Sequence, residues 1–233
     1  MKDKYVLIAG GTGGLGTAVT KAVLAAGAKT ATLPYTHQSS AERLKAELSP
    51  DEIARLRLVQ ADLSDEASVE QIVNRMGQVD VLIQLVGGFN MGRTDEFSFA
   101  DWQKMFDLNL NITFLLCKHC LKRMQRTGYG RIVTVGSRGA IAPAAQLAAY
   151  SAAKAGVVAL TTSIAEETKD RDTDITANCV LPSVIDTPKN REAMGTDRVW
   201  AWVKPESLAG VICFLASEAA RDVRGAAVPV FGK

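Results

Sequence analysis

The feature that most limits what this chain can fold into is the run of glycines after its first apolar segment. Tyr5 to Ala9 is a short apolar stretch suited to a strand, and Gly10-Gly11-Thr12-Gly13-Gly14-Leu15-Gly16 follows at once. A helical pattern then runs to about Ala26 and stops at Gly27, a residue type that ends helices readily. Strand, glycine turn and helix make an entry for a dinucleotide. The glycines let the backbone approach a pyrophosphate, and the helix start offers unpaired N–H groups and a positive dipole end. An ATPase phosphate loop is the competing pattern, because Gly11 to Gly16 has the required gap. That loop needs lysine next, and the residue is Thr17.

Strand and helix patterns keep alternating to the end. Further strands are predicted over 29–33, 56–61, 79–86, 131–135, 175–181 and 227–230, with helices over 41–48, 66–76, 99–126, 147–168 and 206–216. This predicts an α/β protein with a doubly wound, Rossmann-type parallel sheet of about seven strands and helices on both faces. Linkers are short and there is no internal repeat, so residues 1–233 are expected to form a single dinucleotide-binding domain.

A net charge of +2 with both signs mixed lacks the basic footprint of a nucleic-acid binder. The four cysteines, Cys117, Cys120, Cys179 and Cys213, fall within predicted helices or strands, which points to a reduced compartment. Cys117-Lys118-His119-Cys120 has a metal-ligand look, but no second ligand pair accompanies it, so no metal is expected. No signal peptide precedes the first strand, and no apolar run reaches the roughly 18 residues of a membrane helix. A cytoplasmic protein with no membrane partner is the expectation.

The stretch from Arg131 to Leu160 carries the chemistry. A buried strand ends at Gly136 and Ser137, a loop follows, and an alanine-rich helix brings Tyr150 and Lys154 four residues apart. That spacing sets a phenol and an ammonium on one helix face. A free tyrosine ionises near about 10, and a fixed positive charge beside it favours the phenolate. Ser137, at the strand end, is placed to bond a substrate oxygen next to the phenol.

In this order the motifs resemble those of the short-chain dehydrogenase/reductase family, over essentially the whole chain. The family's Thr-Gly-x-x-x-Gly-x-Gly turn corresponds to Ala9 through Gly16, with alanine for threonine. Its strand-end aspartate corresponds to Asp62 in Ala61-Asp62-Leu63, and its helical asparagine to Asn109. Its Asn-Asn-Ala-Gly motif is altered to Gln84-Leu85-Val86-Gly87, and its Pro-Gly motif to Pro182-Ser183, followed by Ile185-Asp186-Thr187. The resemblance implies a catalytic set of Asn109, Ser137, Tyr150 and Lys154. It implies cofactor contacts from Gly10, Thr12, Gly13, Gly14, Leu15 and Gly16 in the turn, and from Tyr35 after the second strand. Asp62 and Leu63, Val86 and Gly87, then Pro182, Ile185 and Thr187 complete them, with Tyr150 and Lys154 also touching the cofactor. Asn109 would bind a water that links Lys154 to solvent.

The implied activity is NAD(P)-dependent hydride transfer between a nicotinamide and a carbonyl or alcohol, with Tyr150 as general acid/base. A dinucleotide-sensing regulator, or an epimerase or dehydratase retaining the cofactor, are the other readings. The second strand ends Leu33-Pro34-Tyr35-Thr36-His37, with no acid to repel a 2′-phosphate, which favours NADP over NAD. Phe89, Asn90, Met91, Ile141, Gln146, Met194, Trp200 and Trp202 would line a pocket for a small, largely apolar carbonyl compound or acyl thioester. Arg138 and Arg191 are placed to meet an acid group instead. The helices over 99–126 and 147–168 carry more apolar residues than one buried stripe needs, which predicts a homodimer or homotetramer packed through them.

Overall fold

The computed structural model describes residues 1–169 and 172–233. Seven strands, β1 (Tyr5–Ala9), β2 (Thr30–Tyr35), β3 (Leu56–Gln60), β4 (Val81–Gln84), β5 (Tyr129–Val135), β6 (Asp174–Pro182) and β7 (Ala227–Val230), pair in parallel. Their order is β3-β2-β1-β4-β5-β6-β7. The strands look uniformly apolar because alternate residues are buried on opposite faces. Val6 and Ile8 pack with Val19 and Val23 of α1 (Gly14–Ala25) and with Leu208 and Ile212 of α9 (Pro205–Leu215). Leu7, Leu82 and Ile132 pack on the other face, against Val69 and Ile72 of α4 (Glu66–Met76) and Leu116 of α6 (Ile112–Thr127). Ile164 of α7 (Ala148–Glu167) joins that second cluster.

The predicted sheet is present, and the differences lie in the helices. The helix predicted over 41–48 runs earlier, as α2 (Gln38–Ala46), and an unpredicted α3 (Pro50–Arg55) follows it. Its start is a capping box: the Ser49 hydroxyl accepts from the Glu52 N–H, and Glu52 accepts from the Ser49 N–H. The helix predicted over 99–126 is two helices, α5 (Phe99–Phe106) and α6, joined by a π turn at Asp107–Asn111. A further unpredicted helix, α8 (Pro188–Met194), follows β6. Strand β5 begins at Tyr129, two residues earlier than predicted, and Gly128, with φ +74°, ends α6 just before it. No helix among the described residues is long and apolar enough to cross a membrane.

Cys117 and Cys120 are buried in the core beneath α6, and burial pushes the Cys117 thiol up to about 12. The neighbouring His119 ring faces Glu66 of α4 at 3.1 Å. This accounts for Cys117-Lys118-His119-Cys120 as helix packing.

At the amino-terminal ends of the strands a buried cation holds β5, β6 and the end of α9 together. Arg131 is fully buried; it donates to the Asp174 carboxylate at 2.9 Å, to the Asp174 carbonyl at 2.8 Å and to the Ser217 carbonyl at 3.2 Å. Partial burial of Asp174 works against its ionisation, but the Arg131 bond and nearby arginines outweigh it and hold the carboxyl below its ordinary value. Stability from this carboxylate is therefore present above its unfolded pKa and lost as pH falls through the lower folded one. Asp174→Asn is expected to lower unfolding free energy by about 2 kcal/mol, the scale of a charged hydrogen bond, in denaturant titration at pH 7. A loss near zero would mean the guanidinium finds equivalent partners.

Candidate active site

Gly10 has φ +81°, and a side chain there would stand 3.0 Å from the Val86 nitrogen, so the end of β1 lies directly against the loop after β4. A Cβ on Gly16 would overlap the backbone of Gly10 and Gly11, so this glycine is required for packing the turn itself. A Cβ on Gly13 would meet only the Gly10 carbonyl, at 3.4 Å. Helix α1 begins with no side-chain cap and no acid in its first turn, leaving its N–H groups to a ligand. A Cβ on Gly14 would stand 3.1 Å from Thr187, which caps α8 from the other side. Leu15 packs partly against the first core cluster. These features fit a pyrophosphate: a bare backbone, free donors and a positive helix end in one cradle.

An open groove of about 970 Å3 extends from Thr12, Gly13 and Gly14 to Lys21 and Arg43 on one side and to Thr187 and Lys189 on the other. Ser40 donates to the Thr12 hydroxyl at 3.1 Å, bringing the first turn of α2 onto the glycine turn. Tyr35 ends β2 with its hydroxyl donating to Gln38 at 2.9 Å. Asp62 accepts from both the Ser64 hydroxyl, at 2.7 Å, and the Ser64 N–H, and these bonds lower its pKa. Leu63 is buried in the second core cluster.

Ser137, Tyr150 and Lys154 come together at the carboxyl end of β5. The Ser137 hydroxyl accepts from the Gly139 N–H at 3.1 Å. Lys154 is 5% exposed and donates to the Val135 carbonyl at 2.8 Å, and burial lowers its pKa to about 8. Burial pushes the Tyr150 phenol above its ordinary value, while a hydrogen bond with Ser137 draws it back down. The Lys154 nitrogen lies 6.0 Å from the Tyr150 ring centroid.

The loop after β4 is clamped from two sides. The Gln84 side chain donates to the Val86 carbonyl at 3.0 Å, accepts from the Val86 N–H at 3.1 Å and donates to the Thr113 hydroxyl at 3.0 Å. Asn109, fully buried in the π turn, accepts from the Gly88 N–H and donates to the carbonyls of Gly88 and Met105. The Asn109 carbonyl receives the Thr113 hydroxyl at 2.6 Å. Between the clamps, a Cβ on Gly87 would stand 2.7 Å from Asn109 Oδ1 and 3.2 Å from Lys154 Nζ. Asn109, expected to bind a water near Lys154, has its side chain bonded to the loop at Gly88. Gln84 and Thr113 were not foreseen in the site; the altered Gln84-Leu85 pair was the only sequence signal for them.

On the substrate side, Phe89 packs edge-on against Tyr150 with ring centroids 5.1 Å apart. Met91, Ile141, Met194 and Trp200, expected to line the substrate pocket, are exposed. Arg191 makes a two-pronged ion pair with Asp186, at 2.5 and 2.7 Å, so it is not free to meet an acid group as expected. Pro182 ends β6, and Ile185 bridges to Val203.

The model for short chain dehydrogenases matches residues 4–197. The chain belongs to the short-chain dehydrogenase/reductase family. The 3-oxoacyl-(acyl-carrier-protein) reductase FabG of Pseudomonas aeruginosa is 34% identical, over 100% of this chain and 97% of the relative. The 7alpha-hydroxysteroid dehydrogenase of Bacteroides fragilis is 32% identical over 99% and 94%, and the D-threitol dehydrogenase of Mycolicibacterium smegmatis 31% over 100% and 93%. The crystal structure of levodione reductase matches with a TM-score of 0.88 and 31% identity, over 99% of this chain and 96% of that one. The protein is an oxidoreductase that transfers hydride with a nicotinamide cofactor, which sets the regulatory reading aside.

Two glycine variants separate ligand contact from packing. Gly13→Val is expected to keep the fold and weaken dinucleotide binding at least about tenfold, by filling the approach to the turn. Gly16→Val is expected to lower the melting temperature as well, and equal melting temperatures for the two would contradict this geometry.

Proposed function

We propose that this enzyme is an NADP-preferring reductase that interconverts a carbonyl and its alcohol on a small, largely apolar substrate. The observation that carries the reading is the half-buried phenol of Tyr150 beside Ser137, with the ammonium of Lys154 on the same helix anchored to the Val135 carbonyl. Nicotinamide supplies or accepts the hydride, which no side chain can do. Tyr150 donates a proton to the carbonyl oxygen, or takes one from the alcohol. Ser137 holds the same oxygen and stabilises charge that develops on it. Lys154 keeps a positive charge near the reacting oxygen and the cofactor ribose, and Asn109 holds the loop that brings Gly87 beside it.

The preference for NADP rests on the end of β2, where Pro34, Tyr35, Thr36 and His37 offer no acid, and on Arg43 in the adjoining groove. Gly10, Thr12 through Gly16, Tyr35, Asp62, Leu63, Val86, Gly87, Pro182, Ile185 and Thr187 are the remaining contacts proposed. The relatives' names span threitol, a hydroxysteroid and an oxoacyl carrier protein, so they support the reaction type and leave the substrate open. We place the enzyme in the cytoplasm as a homodimer or homotetramer packed through α5, α6 and α7. Ala148 and Ala159 of α7 and Phe114 of α6 are exposed there. Light scattering showing a monomer at micromolar concentration would refute that assembly.

Loss of NADPH absorbance with a panel of ketones, aldehydes and quinones tests the activity. Tyr150→Phe is expected to bind cofactor normally and to lose at least about a hundredfold in turnover. Near-native turnover in this variant would remove Tyr150 as proton donor, and tighter binding of NADH than NADPH would overturn the cofactor preference.

A further inference from the structure

Ser183 stands where the family pattern has glycine, immediately after β6. Its N–H donates to the Val230 carbonyl at 3.1 Å, and its hydroxyl donates to the Phe231 carbonyl. Glycine keeps the first bond and cannot make the second. The chain beyond Phe231 turns back at Gly232, where φ is +71° and a side chain would overlap the Ala201 carbonyl. The next N–H, of Lys233, donates to that same carbonyl at 3.2 Å. The segment 231–233 is therefore bonded at one end to the loop that follows β6 and at the other to the 3₁₀ turn Val199–Ala201.

That turn carries Trp200, which is 70% exposed, and leads into Val203. Within 195–202 no side chain is buried. A surface segment without buried side chains is held mainly by its few backbone hydrogen bonds, so losing one shifts its closed-to-open balance measurably. The strap also reaches the serine turn. Phe231 packs against the cluster of Val157, Cys179 and Leu181, and the Arg138 guanidinium lies 5.5 Å above its ring. Arg138 directly follows Ser137, so one short segment touches both the turn Val199–Ala201 and the serine turn.

We propose that Ser183 is a positioning residue that pins the segment 231–233 as a strap, setting the turn Val199–Ala201 and the Arg138 turn against each other across the substrate opening. Its hydroxyl is spent on the strap and plays no part in proton transfer. This rests on the carbonyl-reductase reading for the identity of the opening, but the strap itself is a matter of backbone bonds.

Amide hydrogen exchange over 196–203 in the full chain, with and without NADPH, tests the strap independently of turnover. Ser183→Gly and Ser183→Ala are expected to speed exchange there by roughly threefold to tenfold, the scale of one lost hydrogen bond, and Ser183→Thr to restore it. Gly232→Val, which drives the strap off Ala201, should exceed either. With a substrate the native enzyme reduces, Ser183→Ala should raise KM by a similar factor, with kcat and NADPH affinity changing by less than about twofold. Unchanged exchange over 196–203 in both small-residue variants would overturn the strap. A loss of NADPH affinity as large as the rise in KM would overturn its assignment to the substrate side. A native enzyme that reduces no carbonyl compound would sink the functional reading instead, while the exchange result would still decide the strap.

Discussion

The hydrogen bond from Lys154 to the Val135 carbonyl is the contact on which the rest of the site depends. It joins the middle of α7 to the last residue of β5, and so fixes the helix that carries Tyr150 relative to the strand that delivers Ser137. Burying an ammonium is costly, and the depressed pKa of about 8 is the trace of that cost. A core serving stability alone would fill this position with an apolar side chain. Retaining a cation here is explained by its nearness to a phenol and to Gly87, where a dinucleotide and a reacting oxygen would sit.

Strand order puts the other half of the site in reach. Connections run outward in one direction from β1 to β3 and in the other from β4 to β7, so a crevice opens where β1 and β4 adjoin. Gly10 after β1 and Val86 after β4 face one another across it, closely enough that no side chain fits on Gly10. Gln84 and Asn109 then hold the next residues, and Gly87 lies beside Lys154. The glycine turn and the group of Ser137, Tyr150 and Lys154 thus share a wall made of backbone, whose position is set by two amide side chains.

Much of this was legible in the sequence, for identifiable reasons. The glycine turn, the serine at a strand end and the Tyr150–Lys154 spacing depend on local chain geometry, which short patterns report well. The strands were legible because burial on both faces leaves apolar runs such as Val6-Leu7-Ile8. The π turn at Asp107–Asn111 was not, because one extra residue per turn hardly disturbs a helical pattern. The Ser49–Glu52 capping box was present in the sequence but lay in a stretch with few apolar residues to mark a helix. Pairings between distant residues were out of reach. Nothing local says that Gln84 bonds Thr113 or that the Ser183 hydroxyl is claimed by Phe231. Arg191 could be recognised as a cation, but not as one already claimed by Asp186.

The central claim is that a buried, ionised Lys154 supports proton transfer by Tyr150, and the pH dependence of kcat/KM for carbonyl reduction tests it most directly. In the native enzyme the rate should fall as pH rises through about 8, where Lys154 loses its charge while Tyr150, with its raised pKa, stays protonated. Lys154→Arg, which keeps a charge at all accessible pH, should lack that falling limb whatever its absolute rate. A native profile that stays flat to pH 10, or a limb near 8 that persists in Lys154→Arg, would contradict the account.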